Sequence, residues 1–165
     1  MSELEFGRAP QGHRLPAGTG LGPVHLQIAD LDRSLAFYQR TLGLRVLRRD
    51  GPHALLGAQD GDATLVMLHE HPGARPAPSR GRLGLFHFAI LLPDRPSLGR
   101  FVRHLEAIGA AAGSADHLVS ESLYLQDPDN LGIEVYADRP RSTWRRVGRQ
   151  LMIAARWARC HTTDV

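Results

Sequence analysis

Lysine is absent from this 165-residue chain, and all 20 of its basic residues are arginine. A preference that uniform reflects codon composition rather than a binding surface, so the net charge of +3 is no argument for a nucleic-acid partner. Cysteine is almost absent as well. The single Cys160 cannot close an intramolecular bridge, which excludes a disulfide scaffold and a cysteine-rich zinc module. No apolar run reaches membrane-spanning length, and the opening stretch MSELEFGRAPQGHRLPAG has no apolar segment. The expectation is therefore a protein with no membrane partner and no secretory leader, located in the cytoplasm.

What is present is the composition of one packed domain, with 42% apolar and 22% charged residues in 18.2 kDa. Residues 1–20 have no period and read as a tail. From Pro23 to Ala29, Val24, Leu26 and Ile28 alternate with His25, Gln27 and Ala29, which predicts a half-buried strand with His25 on its less apolar face. Leu31, Leu35, Tyr38 and Leu42 form a helical stripe, opened by Asp30 or Asp32 and stopped by Gly43. Three short strands come next, over 45–49, 54–58 and 63–68. A Pro- and Gly-rich linker from Glu70 to Gly84 precedes a second series: a strand over 85–92, a helix from Asp94 to Gly109, and strands over 114–119, 122–126 and 131–137.

The second series repeats the first. His25 and His87 lie 62 residues apart and Gly43 and Gly109 lie 66 apart, and we set Val66 against Glu134 at an offset of 68. The predicted fold class is α+β, with two tandem βαβββ modules (22–70 and 84–138) whose curved mixed sheets form a metal-binding cleft within a domain spanning 21–138. Residues 139–165 form a basic C-terminal extension. Trp144, Val147, Leu151, Ala154 and Ala158 recur there at helical spacing among five arginines, which predicts a helix packed on its own domain or on a second subunit.

Strand parity selects the candidate site. Alternate residues of a strand face opposite ways, and His87 lies opposite Phe86, Phe88 and Ile90. Glu134 sits between Ile133 and Val135, and Tyr124 between Leu123 and Leu125. His25, His87 and Glu134 would thus present two imidazoles and one carboxylate to a divalent metal, a set suited to Fe(II), with Mn(II) and Zn(II) as competitors. His69 and His71 read as a solvated strand end, His53 as a turn residue and His104 as an exposed helix residue. The turn Asp127-Pro128-Asp129-Asn130 reads as structural, with Asn130 suited to a left-handed backbone.

These residues carry a resemblance. GPVHLQIADLDRSLAFYQRTLGL at 22–44, LFHFAILLPD at 85–94 and DHLVSESLYLQDPDNLGIEVYADRP at 116–140 resemble the vicinal oxygen chelate superfamily of glyoxalases, bleomycin-resistance proteins, fosfomycin-resistance transferases and extradiol dioxygenases. The third segment most resembles bacterial catechol 2,3-dioxygenase-like proteins. The resemblance implies His25, His87 and Glu134 as metal ligands, Tyr124 and His117 as the Tyr and His that reach substrate, and a homodimer. It implies ring cleavage of a catechol-like aromatic with oxygen. A glyoxalase-type lyase needs a fourth donor from the last strand of the first module, where Val66 and its neighbours through Leu68 are apolar and His69 could substitute only if the strand register slips, so that alternative is disfavoured. Thiol transfer of the fosfomycin-resistance kind wants positive charge in the cleft, and no arginine has the cleft-facing parity on the metal-bearing strands. A metal-free binding protein of the bleomycin-resistance kind needs no ligand set at all.

Overall fold

The computed structural model describes residues 11–76, 78, 84–148, 150–153 and 156–159. Its elements in chain order are β1 (Val24–Ile28), α1 (Leu31–Arg40), β2 (Arg45–Asp50), β3 (His53–Gly57), β4 (Thr64–Glu70), β5 (His87–Leu91), α2 (Arg95–Ile108), β6 (Gly113–Asp116), β7 (Ser120–Gln126), β8 (Gly132–Asp138), β9 (Arg146–Val147), β10 (Gln150–Leu151) and β11 (Arg156–Arg159). The first sheet runs β1-β4-β3-β2 and the second β11-β6-β7-β8-β5. In each, the strand before the helix pairs in parallel with the last strand of its module and the other pairs are antiparallel. The result is a pair of curved, open mixed sheets in an α+β fold, as the repeat predicts.

Local chemistry sets the helix ends. The Asp30 side chain accepts from the Arg33 amide at 2.8 Å, and Asp94 accepts from the Ser97 amide at 2.7 Å, so each helix starts on a carboxylate cap. Gly109 closes α2 with φ 66°, a left-handed conformation that a side chain resists. One apolar core unites the two modules, with Ile28, Tyr38, Leu56, Val66, Ile133 and Val135 all at 2% exposure or less.

The Asp127–Asn130 turn joins the modules. Tyr38 donates its hydroxyl proton to Asp127 Oδ2 at 3.0 Å, deep in the core. Asp127 Oδ1 accepts from the amides of Asp129 and Leu131, while Asp129 receives the Ala29 amide and the Arg33 guanidinium. Burial pushes the Asp127 carboxyl above its ordinary range, and the backbone donors pull the other way. Asn130 takes φ 64°.

Two expectations are corrected. Phe86 does not pack with Phe88 and Ile90: it precedes β5 and is 83% exposed. The C-terminal extension is not the expected helix: beyond a single 3-10 turn over Arg141–Thr143, its described elements are strands. Gly148, at φ 60°, turns β9 back onto β10, and β11 pairs antiparallel with β6. The open edge of β6 offers unpaired backbone groups, and a strand satisfies them where a helix cannot. Ala154 and Cys160 of the expected helix, residues 1–10 of the tail and part of the linker lie outside the described residues.

Candidate metal centre

The site is built on the half-buried face of the second sheet opposite the core, and three strands bring it together by register. Glu134 on β8 lies directly opposite Tyr124 on β7, and each is flanked by buried neighbours: Ile133 and Val135, Leu123 and Leu125. Packing on the core side therefore fixes both side chains on the other. On β5, His87 is the register partner of Gly132. A Cβ at Gly132 would stand 2.9 Å from the Phe86 carbonyl oxygen and 3.0 Å from His87 Cβ, so only glycine lets β5 approach this closely.

His117 arrives from the tight β6–β7 turn. Its amide donates to the Ser120 carbonyl, and the next residue, Leu118, is forced to φ 66°, where its amide donates to Asp116 Oδ1. A left-handed leucine costs about 1 kcal/mol, and here it aims the preceding imidazole inward.

The four side chains form one series of close polar contacts, hydrogen-bonded from His117 through Tyr124 to Glu134. His117 Nε2 lies 2.8 Å from the Tyr124 hydroxyl, Tyr124 donates to Glu134 Oε1 at 3.0 Å, and Glu134 Oε2 lies 3.2 Å from His87 Nε2. A phenol has a single proton. Because it goes to Glu134, the hydroxyl oxygen must accept from a protonated His117 Nε2. Burial, reinforced by the bond to Glu134 and its charge, pushes the Tyr124 hydroxyl up to about 12, so it stays a donor at neutral pH.

The geometry of His87 and Glu134 suits a metal. Two donors each about 2.1 Å from one ion, at tetrahedral or octahedral angles, stand about 3.0–3.4 Å apart. The observed 3.2 Å falls in that interval. His87 Nδ1 is buried without a hydrogen-bond partner.

The third expected donor is elsewhere. His25 is exposed on β1 and lines a groove of about 410 Å³ with Gln27, Arg75, Leu85, Asp129 and Leu131, a set that includes neither His87 nor Glu134. Among the described residues, no three His, Cys, Asp or Glu side chains converge to hold a metal. The structure thus brings together His87, Glu134, Tyr124 and His117, and leaves His25 apart.

Register also corrects the match between the modules. Glu134 pairs with Ala89, two residues past His87, and His69 pairs with Gln27, two residues past His25. The counterpart of Glu134 is therefore His69, an exposed residue, whereas Val66 is 1% exposed in the core. Offsets counted between loops of unequal length missed this. The parity of β4, where buried Val66 and Leu68 flank Met67, marks His69 as outward-facing without the structure.

Two open mixed sheets with parallel outer pairs, each fed by a βαβββ module, define a class of duplicated-module α+β proteins, here with imidazole, carboxylate and phenol on one face of the second sheet. Residues 20–135 match the Glyoxalase/Bleomycin resistance protein/Dioxygenase superfamily, and the chain belongs to that family. It is 52% identical over 128 residues, 78% of its length, to the catechol-2,3-dioxygenase of Bacillus subtilis (strain 168), and covers 45% of that protein. Over 76 residues, 39% of its length, it is 37% identical to a lactoylglutathione lyase of Oryza sativa subsp. japonica, covering 26% of it. The chain spans less than half the length of these curated relatives. A glyoxalase/dioxygenase from Nostoc punctiforme shares the fold with a TM-score of 0.63 at 22% identity, over 78% of this chain and 99% of that one. The fosfomycin resistance protein of Listeria monocytogenes does so with a TM-score of 0.54 at 16% identity, over 73% and 94%. No helix among the described residues is long and apolar enough to cross a membrane.

Proposed function

We propose that the protein is an extradiol-type ring-cleaving dioxygenase that uses Fe(II) to open a catechol-like aromatic with oxygen. The observation that carries this reading is the unbroken series His117–Tyr124–Glu134–His87 on one free sheet face. The 52% identity to a catechol-2,3-dioxygenase supports the substrate class. His87 and Glu134 would hold the metal, with Mn(II) and Zn(II) as competitors for the same donors. Fe(II) held there supplies the path for electrons between an electron-rich diol and oxygen, which no protein side chain supplies.

The chain's own residues handle protons and orientation. His117 acts as acid or base for the substrate oxygens, one hydrogen bond from Tyr124, so proton uptake at the imidazole and donation by the phenol are linked in one series. Tyr124, still protonated at neutral pH, gives up its bond to Glu134 and turns its one O–H to the oxygen where negative charge develops. Buried Leu123, Leu125, Ile133 and Val135 keep these polar groups on one side of the sheet.

The third ligand, His25, comes in this reading from a second copy, making the protein a homodimer. His25 is exposed and apart from His87, while Leu85, Phe86 and Leu91 around His87 are 49%, 83% and 54% exposed, apolar surface that a second subunit would cover. The lyase alternative gains one observation, His69 at the register place of a fourth donor. Its ring nitrogen faces His53 instead, so ring cleavage remains the preferred reading.

Anaerobic loading with Fe(II), followed by a panel of catechols in air, tests the proposal. A yellow ring-cleavage product, with about one iron per chain that is lost in His87→Ala, is expected. Stoichiometric iron with no colour across the panel would sink the dioxygenase reading. No bound iron in the wild type would sink the metal centre itself.

A further inference from the structure

A second pair of metal-ligating side chains lies on the first sheet, outside the series described above. His53 on β3 and His69 on β4 are cross-strand partners, both exposed, with rings stacked at a centroid distance of 4.4 Å and Nδ1 atoms 2.9 Å apart. They hold the same cross-strand place on their sheet that Tyr124 and Glu134 hold on the other. The row continues to Asp50 on β2, register partner of His53, and to Gln27 on β1, register partner of His69.

We propose that His53 and His69 form a separate binding site for a divalent transition cation of the Zn(II) class. Two imidazole nitrogens about 2.0–2.1 Å from one ion stand about 2.9 Å apart at a right angle and about 3.3–3.4 Å apart at zinc's tetrahedral angle. The two Nδ1 atoms stand 2.9 Å apart, so a small rotation of the exposed side chains admits a cation in place of the one proton they share, and no strand has to move. Imidazole suits ions of this class over Mg(II) or Ca(II). Asp50 pairs with Arg48 at 3.2 Å and is not needed as a ligand, since water completes the coordination shell. Both histidines belong to one antiparallel pair within one module, so the site needs neither a second subunit nor Glu134.

The test is zinc binding by equilibrium dialysis on full-length, untagged protein stripped with chelator. Glu134→Gln is the background, so that the first centre does not contribute. That protein is expected to bind one zinc per chain, and adding His53→Gln or His69→Gln should weaken binding about tenfold or more, since losing a ligand costs at least as much as losing a ligand's supporting contact. Adding His71→Gln should change nothing. Both histidines are exposed, and far-UV circular dichroism checks that each variant is folded. Unchanged zinc affinity in the His53 and His69 variants overturns the proposal, and so does the absence of zinc binding in the Glu134→Gln background.

Discussion

Tyr124 has one proton to give, and its hydroxyl stands between His117 and Glu134. Removing that hydroxyl leaves an imidazole and a carboxylate without their common neighbour. Tyr124→Phe should lower kcat by about 10²-fold, the usual cost of one donor to developing negative charge, while iron content per chain stays unchanged. His117→Gln should do the same by a different route. The two residues act through one series, so the double variant should lose much less than the product of the single losses. Multiplying losses in a double-variant cycle would mean the two side chains act separately. Tyr124 was legible in the sequence because it sits between Leu123 and Leu125, two apolar neighbours that packing had to bury, whereas His117, between Asp116 and Leu118, was reached through the family resemblance. The pairing of His53 with His69 was not legible, because β3–β4 register depends on a turn whose length the residues alone do not fix.

At the scale of elements, the turn that carries His117 is braced from outside. Arg139 reaches both Asp116 on β6 and Glu121 on β7 at 2.9 Å, and Arg95 of α2 joins on Glu121. Partial burial works against ionising Glu121, yet the two guanidinium groups hold its carboxyl below the usual range. A carboxylate with a depressed folded pKa adds stability above its unfolded value and loses it as pH falls through the folded one. Glu121→Gln should therefore destabilise the fold by about 0.5–1 kcal/mol at pH 7, a figure kept small by solvent screening. Urea unfolding should show the gap to wild type closing below about pH 4.5, where the unfolded carboxyl is protonated. A gap that stays constant down to pH 3 would mean that Glu121 acts by shape and not by charge.

The elements themselves were largely legible: Asp30 and Asp94 before apolar stripes gave the helix starts, and period-two alternation gave the strands. The C-terminal segment was not, because its helical spacing was a local signal. The open edge of β6 that recruits β11 is a property of the folded sheet.

For the whole molecule, the question is whether His25 serves its own chain or a second one. In the structure it lines a groove whose lining includes neither His87 nor Glu134, and Leu85, Phe86 and Leu91 around His87 are exposed. A two-fold dimer would put each His25 beside the other subunit's His87 and Glu134, giving two shared sites. His25→Ala and Glu134→Gln should each be inactive alone, since each breaks both sites of its own homodimer. Unfolded together and refolded as a mixture, about half the dimers carry one chain of each kind, and each of those has one intact site, formed by His25 of the Glu134→Gln chain and the His87–Glu134 pair of the His25→Ala chain. Activity should return to about a quarter of the wild-type level in the mixture and stay absent in each variant refolded alone. If the metal centre formed within one chain, every site in the mixture would carry a lesion and mixing would restore nothing. A dimer by sedimentation with no recovery would therefore keep the assembly and remove the shared centre, whereas recovery requires that the two sheets' ligands meet across the interface.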